Sequence, residues 1–92
     1  MAKTPAVRPA QEAISDTTPA SRLRELALQD VKLARLVAGN IVAPPELLDE
    51  LSHSADSSTR KAVSGNPNAS VAALFRVGSE FPEQLLCNPA LD

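Results

Sequence analysis

The sequence predicts an all-α fold, a short α-solenoid of about three helical-pair repeats behind a disordered N-terminal tail, on three observations. The tetrad Val37-Ala38-Gly39-Asn40 returns as Val63-Ser64-Gly65-Asn66 and, altered, as Leu86-Cys87-Asn88-Pro89. Its asparagines recur at a spacing of roughly 22 to 26 residues, in the range where self-similarity marks stacked units. Leucines keep the same register: Leu23 and Leu26 correspond to Leu48 and Leu51, and these to Leu74 and Val77. Finally, two phenylalanines are the only aromatics, so the apolar content is almost all Leu, Val and Ala. Such a set suits close-packed helices better than a β-sandwich, which draws on aromatic and β-branched residues.

Residues 1–17 read as the tail: Pro5 and Pro9 interrupt them, and Val7 and Ile14 are the sizeable apolar groups. Beyond a brief turn at Gln11–Ile14, so little to bury cannot offset the entropy of ordering. The repeat domain spans 18–92, with units at about 18–40, 43–66 and 69–88. In the first unit Thr18 is expected to cap and Pro19 to open a helix whose apolar face carries Leu23, Leu26, Ala27 and Leu28. Gln29-Asp30 is read as a break, with Asp30 capping a second helix through Val31, Leu33, Leu36 and Val37, the alternative being one continuous helix from Pro19 to Ala38. Gly39-Asn40 then offers a left-handed-permissive stop.

The second unit repeats the plan, with Pro44-Pro45 opening a helix that carries Leu47, Leu48 and Leu51. After a polar connection, Asp56 or Ser57 caps a helix ending at Gly65-Asn66-Pro67, where proline bars continuation. In the third unit a helix opens near Asn68 or Ser70, breaks at Gly78-Ser79 and restarts after Phe81-Pro82.

The pieces Val63-Ser64-Gly65-Asn66-Pro67-Asn68 and Ala43-Pro44-Pro45-Glu46-Leu47-Leu48, with the spacing of the leucines, resemble the bacterial leucine-rich repeat variant, a HEAT-like family. The resemblance covers about Thr17 to Asp92 and implies a right-handed solenoid of paired helices, α with α or α with 3₁₀. Phe81 through Leu91 is similar to a segment that closes such arrays. Some members carry a cysteine cluster for an iron–sulfur centre, and with one cysteine this chain does not call for that cofactor, so none is expected.

A formal charge of −2 gives no whole-molecule attraction to phosphate backbones. One cysteine and one histidine supply neither an internal disulfide nor a zinc ligand set. The N-terminus has no signal-peptide core and no apolar run reaches the ~18 residues of a membrane span, so the cytoplasm is expected. Cys87 is placed with Ala38 and Ser64 as a small buried thiol, and His53 as a solvated residue past a helix end. Asp49 and Glu50, being adjacent, point different ways and form no acid–base pair.

The basic set Lys32, Arg35, Arg60 and Lys61 draws more interest, since Arg35 and Lys61 are aligned copies on successive second helices. The plainer reading pairs these charges with nearby acids. The sharper one makes them a ladder facing an acidic peptide or nucleic acid. With no nucleophile–base or metal constellation, the function expected is a non-catalytic helical-repeat module that binds a protein partner. Nucleic-acid binding through the basic ladder is the alternative, and self-association through an uncapped end at Asp92 the third reading.

Cohesion in this scheme rests on Leu23, Leu26, Leu48, Leu51, Leu74 and Val77. Leu51→Ala is expected to cost about 2–5 kcal/mol and to abolish cooperative melting followed by circular dichroism; an unchanged melt contradicts the repeat register.

Overall fold

A computed structural model describes residues 8–89, and among them the chain is all helical. Seven helices follow in order: α1 (Pro9–Ile14), α2 (Ala20–Gln29), α3 (Val31–Ala38), α4 (Pro45–Leu51), α5 (Ser57–Ser64), α6 (Val71–Gly78) and α7 (Pro82–Leu86). None is long and apolar enough to cross a membrane. The expected end at Asp92 lies outside the described residues.

The breaks fall where short polar side chains cap a backbone N–H. Asp30 accepts from the Lys32 amide, Asp56 from Thr59 and Ser70 from Ala73, each with extended backbone at the cap. Each cap satisfies a donor that the first helical turn leaves without an internal partner. Asp30 therefore separates α2 from α3, and Pro44 and Pro45 start α4. Thr18, expected to cap α2, does not: its hydroxyl donates to the Glu12 carbonyl at 2.6 Å, and Pro19 holds the cap position.

Leu23, Leu26, Leu48, Leu74 and Val77 are fully or almost fully buried, and Leu51 nearly so. They join Val37, Val63 and the small residues Ala13, Ala34, Ala38 and Ala73 in one apolar core. Within it α3 packs on α1, α2 and α5, and α5 continues to α6 and α7. Leu28 departs from the expected face and is 82 % exposed. At about 100° per residue it lies roughly 200° around α2 from Leu26, away from the buried stripe.

The segment expected as tail is corrected over Pro9–Ile14, which is helical. Its apolar content is small, but Ala13 is fully buried. Polar contacts complete the docking, since Arg22 donates twice to the Glu12 carboxylate, at 2.9 Å each. In addition, the Asn40 side-chain amide donates to the carbonyls of Ala13 and Ser15, at 2.8 and 2.9 Å.

That last contact recurs along the chain. The Asn66 amide donates to Ala38 and Asn40 carbonyls at 2.8 and 2.9 Å, and the Asn88 amide to those of Ser64 and Asn66, at 2.9 Å each. The Asn40 and Asn66 side-chain oxygens in turn accept from the backbone N–H of Val42 and Asn68. All three asparagines are buried, at 2–4 % exposed. Each thus serves the carbonyls that end α1, α3 or α5, which no residue of those helices can serve. In this contact α1 takes the place that α3 and α5 take later, and the Ser15 carbonyl the place of those of Asn40 and Asn66.

The left-handed stop expected at Gly39-Asn40 is corrected, and Gly65 behaves as Gly39 does. Their φ values are −90° and −96°, in the right-handed region, and no described residue has positive φ. The backbone amides of Gly39 and Asn40 bond the Leu36 and Val37 carbonyls, those of Gly65 and Asn66 bond the Ala62 and Val63 carbonyls, and the next asparagine takes the carbonyl of Ala38 or Ser64. Gly78 has another reason to be glycine. It is the last residue of α6, and a Cβ there would press into the Leu85 side chain.

Asn66→Ala removes two donors from buried carbonyls and is expected to cost about 2–4 kcal/mol, at roughly 1 kcal/mol or more per lost bond with its desolvated partner. Asn66→Asp should cost more at neutral pH, because a buried carboxylate would face two carbonyl oxygens. Urea unfolding of both variants checks the order; an alanine variant as stable as the parent contradicts it.

Candidate functional site

The four basic residues read as a ladder do not share one fate. Arg35 on α3 donates through Nε and Nη2 to the Asp56 carboxylate at 2.7 and 2.8 Å. Arg60 on α5 does the same to Glu80, at 3.0 Å for both bonds, and also donates to the Ser54 carbonyl. Each guanidinium bridges its helix to the connection ahead of the following second helix. The contact that sequence register would give to Lys61 is made by Arg60, one position earlier. Lys32 and Lys61 are exposed and form no ion pair among the described residues.

The first helices carry bridges of their own, from Arg24 to Glu50 and from Arg76 to Asp49, the latter at 3.0 Å. Asp49 and Glu50 therefore do point different ways, toward α6 and α2 respectively, each taken by an arginine of a neighbouring unit. Arg76 also donates to the hydroxyl of Ser52, a buried residue. No buried polar side-chain atom among the described residues is left without a partner.

These bridges set the protonation of their acids. The Arg35 guanidinium, then the Thr59 hydroxyl and amide, hold the Asp56 carboxyl well below the usual carboxylate range. Arg22 lowers Glu12 in the same way. Arg35 and Arg60 are shifted upward by the bonds to their acids.

Cys87, expected to be a buried thiol, is exposed. Counted from Asn88, it occupies the place of Gly39 and Gly65, both also exposed, while Leu86 takes the place of the buried Ala38 and Ser64. His53 is exposed just past the end of α4. No group of three or more His, Cys, Asp or Glu suited to a metal ion occurs among the described residues.

The surface of the described residues carries hollows instead. One, of about 520 Å³, lies between the end of α1 and the turn after α3, with Ile14, Leu36, Ile41 and Asp16 around it. Another, of about 440 Å³, lies between the α2–α3 corner and the α4–α5 corner. Leu28 and Val31 stand at its rim, 82 % and 48 % exposed, with Ala27, Ala34 and Leu51 among its walls and Asp30 and Glu50 as its acids. Sequence reasoning placed Leu28 in the core and so missed this surface. The available signal was the register: the positions two before the caps of the later second helices hold Ser54 and Ser79.

Comparison of the chain with family models, with curated proteins and with solved structures gives no match.

A folded-state pKa lowered by pairing stabilises the fold above the carboxyl's unfolded value, about 3.9, and that stabilisation is lost as pH falls toward the depressed folded value. The parent is therefore expected to lose stability progressively below about pH 4. Asp56→Asn, which retains a capping side chain but no charge, should show a shallower acid loss in urea unfolding run at a series of pH values. Identical pH profiles contradict a role for the Arg35–Asp56 pair.

Proposed function

We propose that this chain is a non-catalytic helical-repeat module, a short right-handed α-solenoid of the leucine-rich-repeat-variant type, that binds a protein partner. Support for the repeat comes from the asparagine contact, made in the same way by Asn40, Asn66 and Asn88. The observation that carries the binding reading is the exposed apolar corner at Leu28 and Val31. Large aliphatic side chains left in water beside a hollow are what a protein surface offers to another protein.

Nucleic-acid binding is the weaker reading. Both arginines of the expected basic set are already held by acids, which leaves Lys32 and Lys61 as its unpaired cations among the described residues. The net charge of −2 adds no general attraction. A phosphate backbone would have to displace two bidentate carboxylates, the geometry in which Arg binds most strongly.

Capture on the immobilised chain from a lysate of the source organism, with and without nuclease treatment, tests the choice. Protein retained equally in both samples is expected. Recovery of nucleic acid with loss of all protein after digestion overturns the reading in favour of the alternative.

A further inference from the structure

The three helix-to-helix corners perform the same backbone task with different side chains. Counted from the cap of the following helix, Leu28 and Val31 about Asp30 become Ser54 and Ser57 about Asp56, and Ser79 and Pro82 about Phe81. Serines and a proline serve the later corners, so the turn itself does not require large aliphatic residues. Leu28 and Val31 are nonetheless exposed at the first corner, next to the hollow of about 440 Å³. That volume falls in the range of sites that seat side chains or small ligands, roughly 300–1,000 Å³.

The charge around this hollow has one sign. Asp30 and Glu50 line it together with His53, and neither lysine nor arginine does. Glu50 is already held by Arg24. Asp30 is different, as comparison with its copy in the second unit, Asp56, shows. Both cap a helix, Asp30 by accepting the Lys32 amide at 2.7 Å and Asp56 by accepting the Thr59 amide at 3.0 Å. Asp56 also holds the Arg35 guanidinium, whereas Asp30 forms no ion pair among the described residues. Arg35 lies within electrostatic range of Asp30, yet its bonds go to Asp56. The first corner thus combines an exposed aliphatic pair, a recess and an acid that caps a helix and forms no ion pair among the described residues.

We propose that this hollow seats a partner segment in which an aliphatic or aromatic anchor stands beside a lysine or arginine, an inference that rests on the protein-binding reading above. The anchor packs against Leu28, Val31 and Leu51. The methylene stem of the basic residue runs over the exposed aliphatic rim, and its charged head reaches the Asp30 carboxylate. An acidic segment of equal hydrophobicity is rejected, because its carboxylates would meet Asp30 and Glu50.

The test uses the full chain and two labelled peptides of alternating Leu and Lys or alternating Leu and Glu, titrated by amide NMR and fluorescence polarisation. The basic peptide is expected to shift resonances of residues 27–34 and 50–54 and to bind at least about tenfold more tightly than the acidic one, a step of one charge contact. Leu28→Glu should weaken it by roughly tenfold or more, and Asp30→Ser, which keeps a capping side chain, by a few-fold with loss of salt dependence. Both positions are exposed, and unchanged thermal melts confirm that folding is intact. Equal affinity for the two peptides, shifts confined to other surfaces, or wild-type affinity in both variants overturns the proposal. If lysate proteins are still captured by Leu28→Glu as well as by the parent, this site is refuted while the protein-binding reading stands.

Discussion

The buried side-chain amides of Asn40, Asn66 and Asn88 bind the backbone at the ends of α1, α3 and α5, and much of the structure follows from that constraint. A helix that ends inside a protein leaves carbonyls that must find donors. Here α1, α3 and α5 end against the next unit, and their carbonyls receive both hydrogens of an asparagine from that unit. Asparagine fits because one planar group offers two donors and an acceptor, and the acceptor takes a backbone N–H two residues on in Asn40 and Asn66. Alanine would leave the carbonyls bare, and aspartate would repel them. The requirement also explains why the residues around the contact are small: Ala13, Ala38 and Ser64 let the neighbouring second helices approach closely enough for the amide to reach.

Outside this buried contact, arginine–carboxylate bridges tie the same neighbours at the surface. Arg22–Glu12, Arg35–Asp56 and Arg60–Glu80 involve the second helices or their entries, and Arg24–Glu50 and Arg76–Asp49 link the first helices. Such pairs are partly exposed and individually weak, so they orient units that the apolar core and the asparagines already join. They also remove Arg35 and Arg60 from the surface available to ligands. Among the exposed apolar side chains, Leu28 and Val31 stand out because they flank a hollow beside Asp30, which forms no ion pair among the described residues.

Much of the architecture was legible in the residues. The leucine register located the buried positions because burial repeats with the helical pair, and Asp30, Asp56 and Ser70 marked helix starts because a short polar side chain there has a definite job. The rest depended on contacts between residues far apart in sequence. Helix α1 was read as tail because its docking uses one alanine, a bidentate Glu12–Arg22 pair and a carbonyl pair waiting for Asn40. Gly39 and Gly65 drew attention as turn residues while the adjacent asparagines did the structural work. Aligning on the apolar residues instead of the asparagine misplaced Cys87 by one position, which exchanges a buried site for an exposed one. The basic ladder failed for a similar reason, since the acids that take Arg35 and Arg60 lie in the next unit, far along the chain.

The claim that the asparagine amides couple the units is tested most directly by NMR of the side-chain NH₂ groups in the folded chain. Both amide hydrogens of Asn40 and of Asn66 should be protected from exchange with solvent and should show hydrogen-bond couplings to the carbonyls of Ala13 and Ser15, and of Ala38 and Asn40. Exchange at the rate of a solvated asparagine, with no coupling across the unit boundary, would contradict the account.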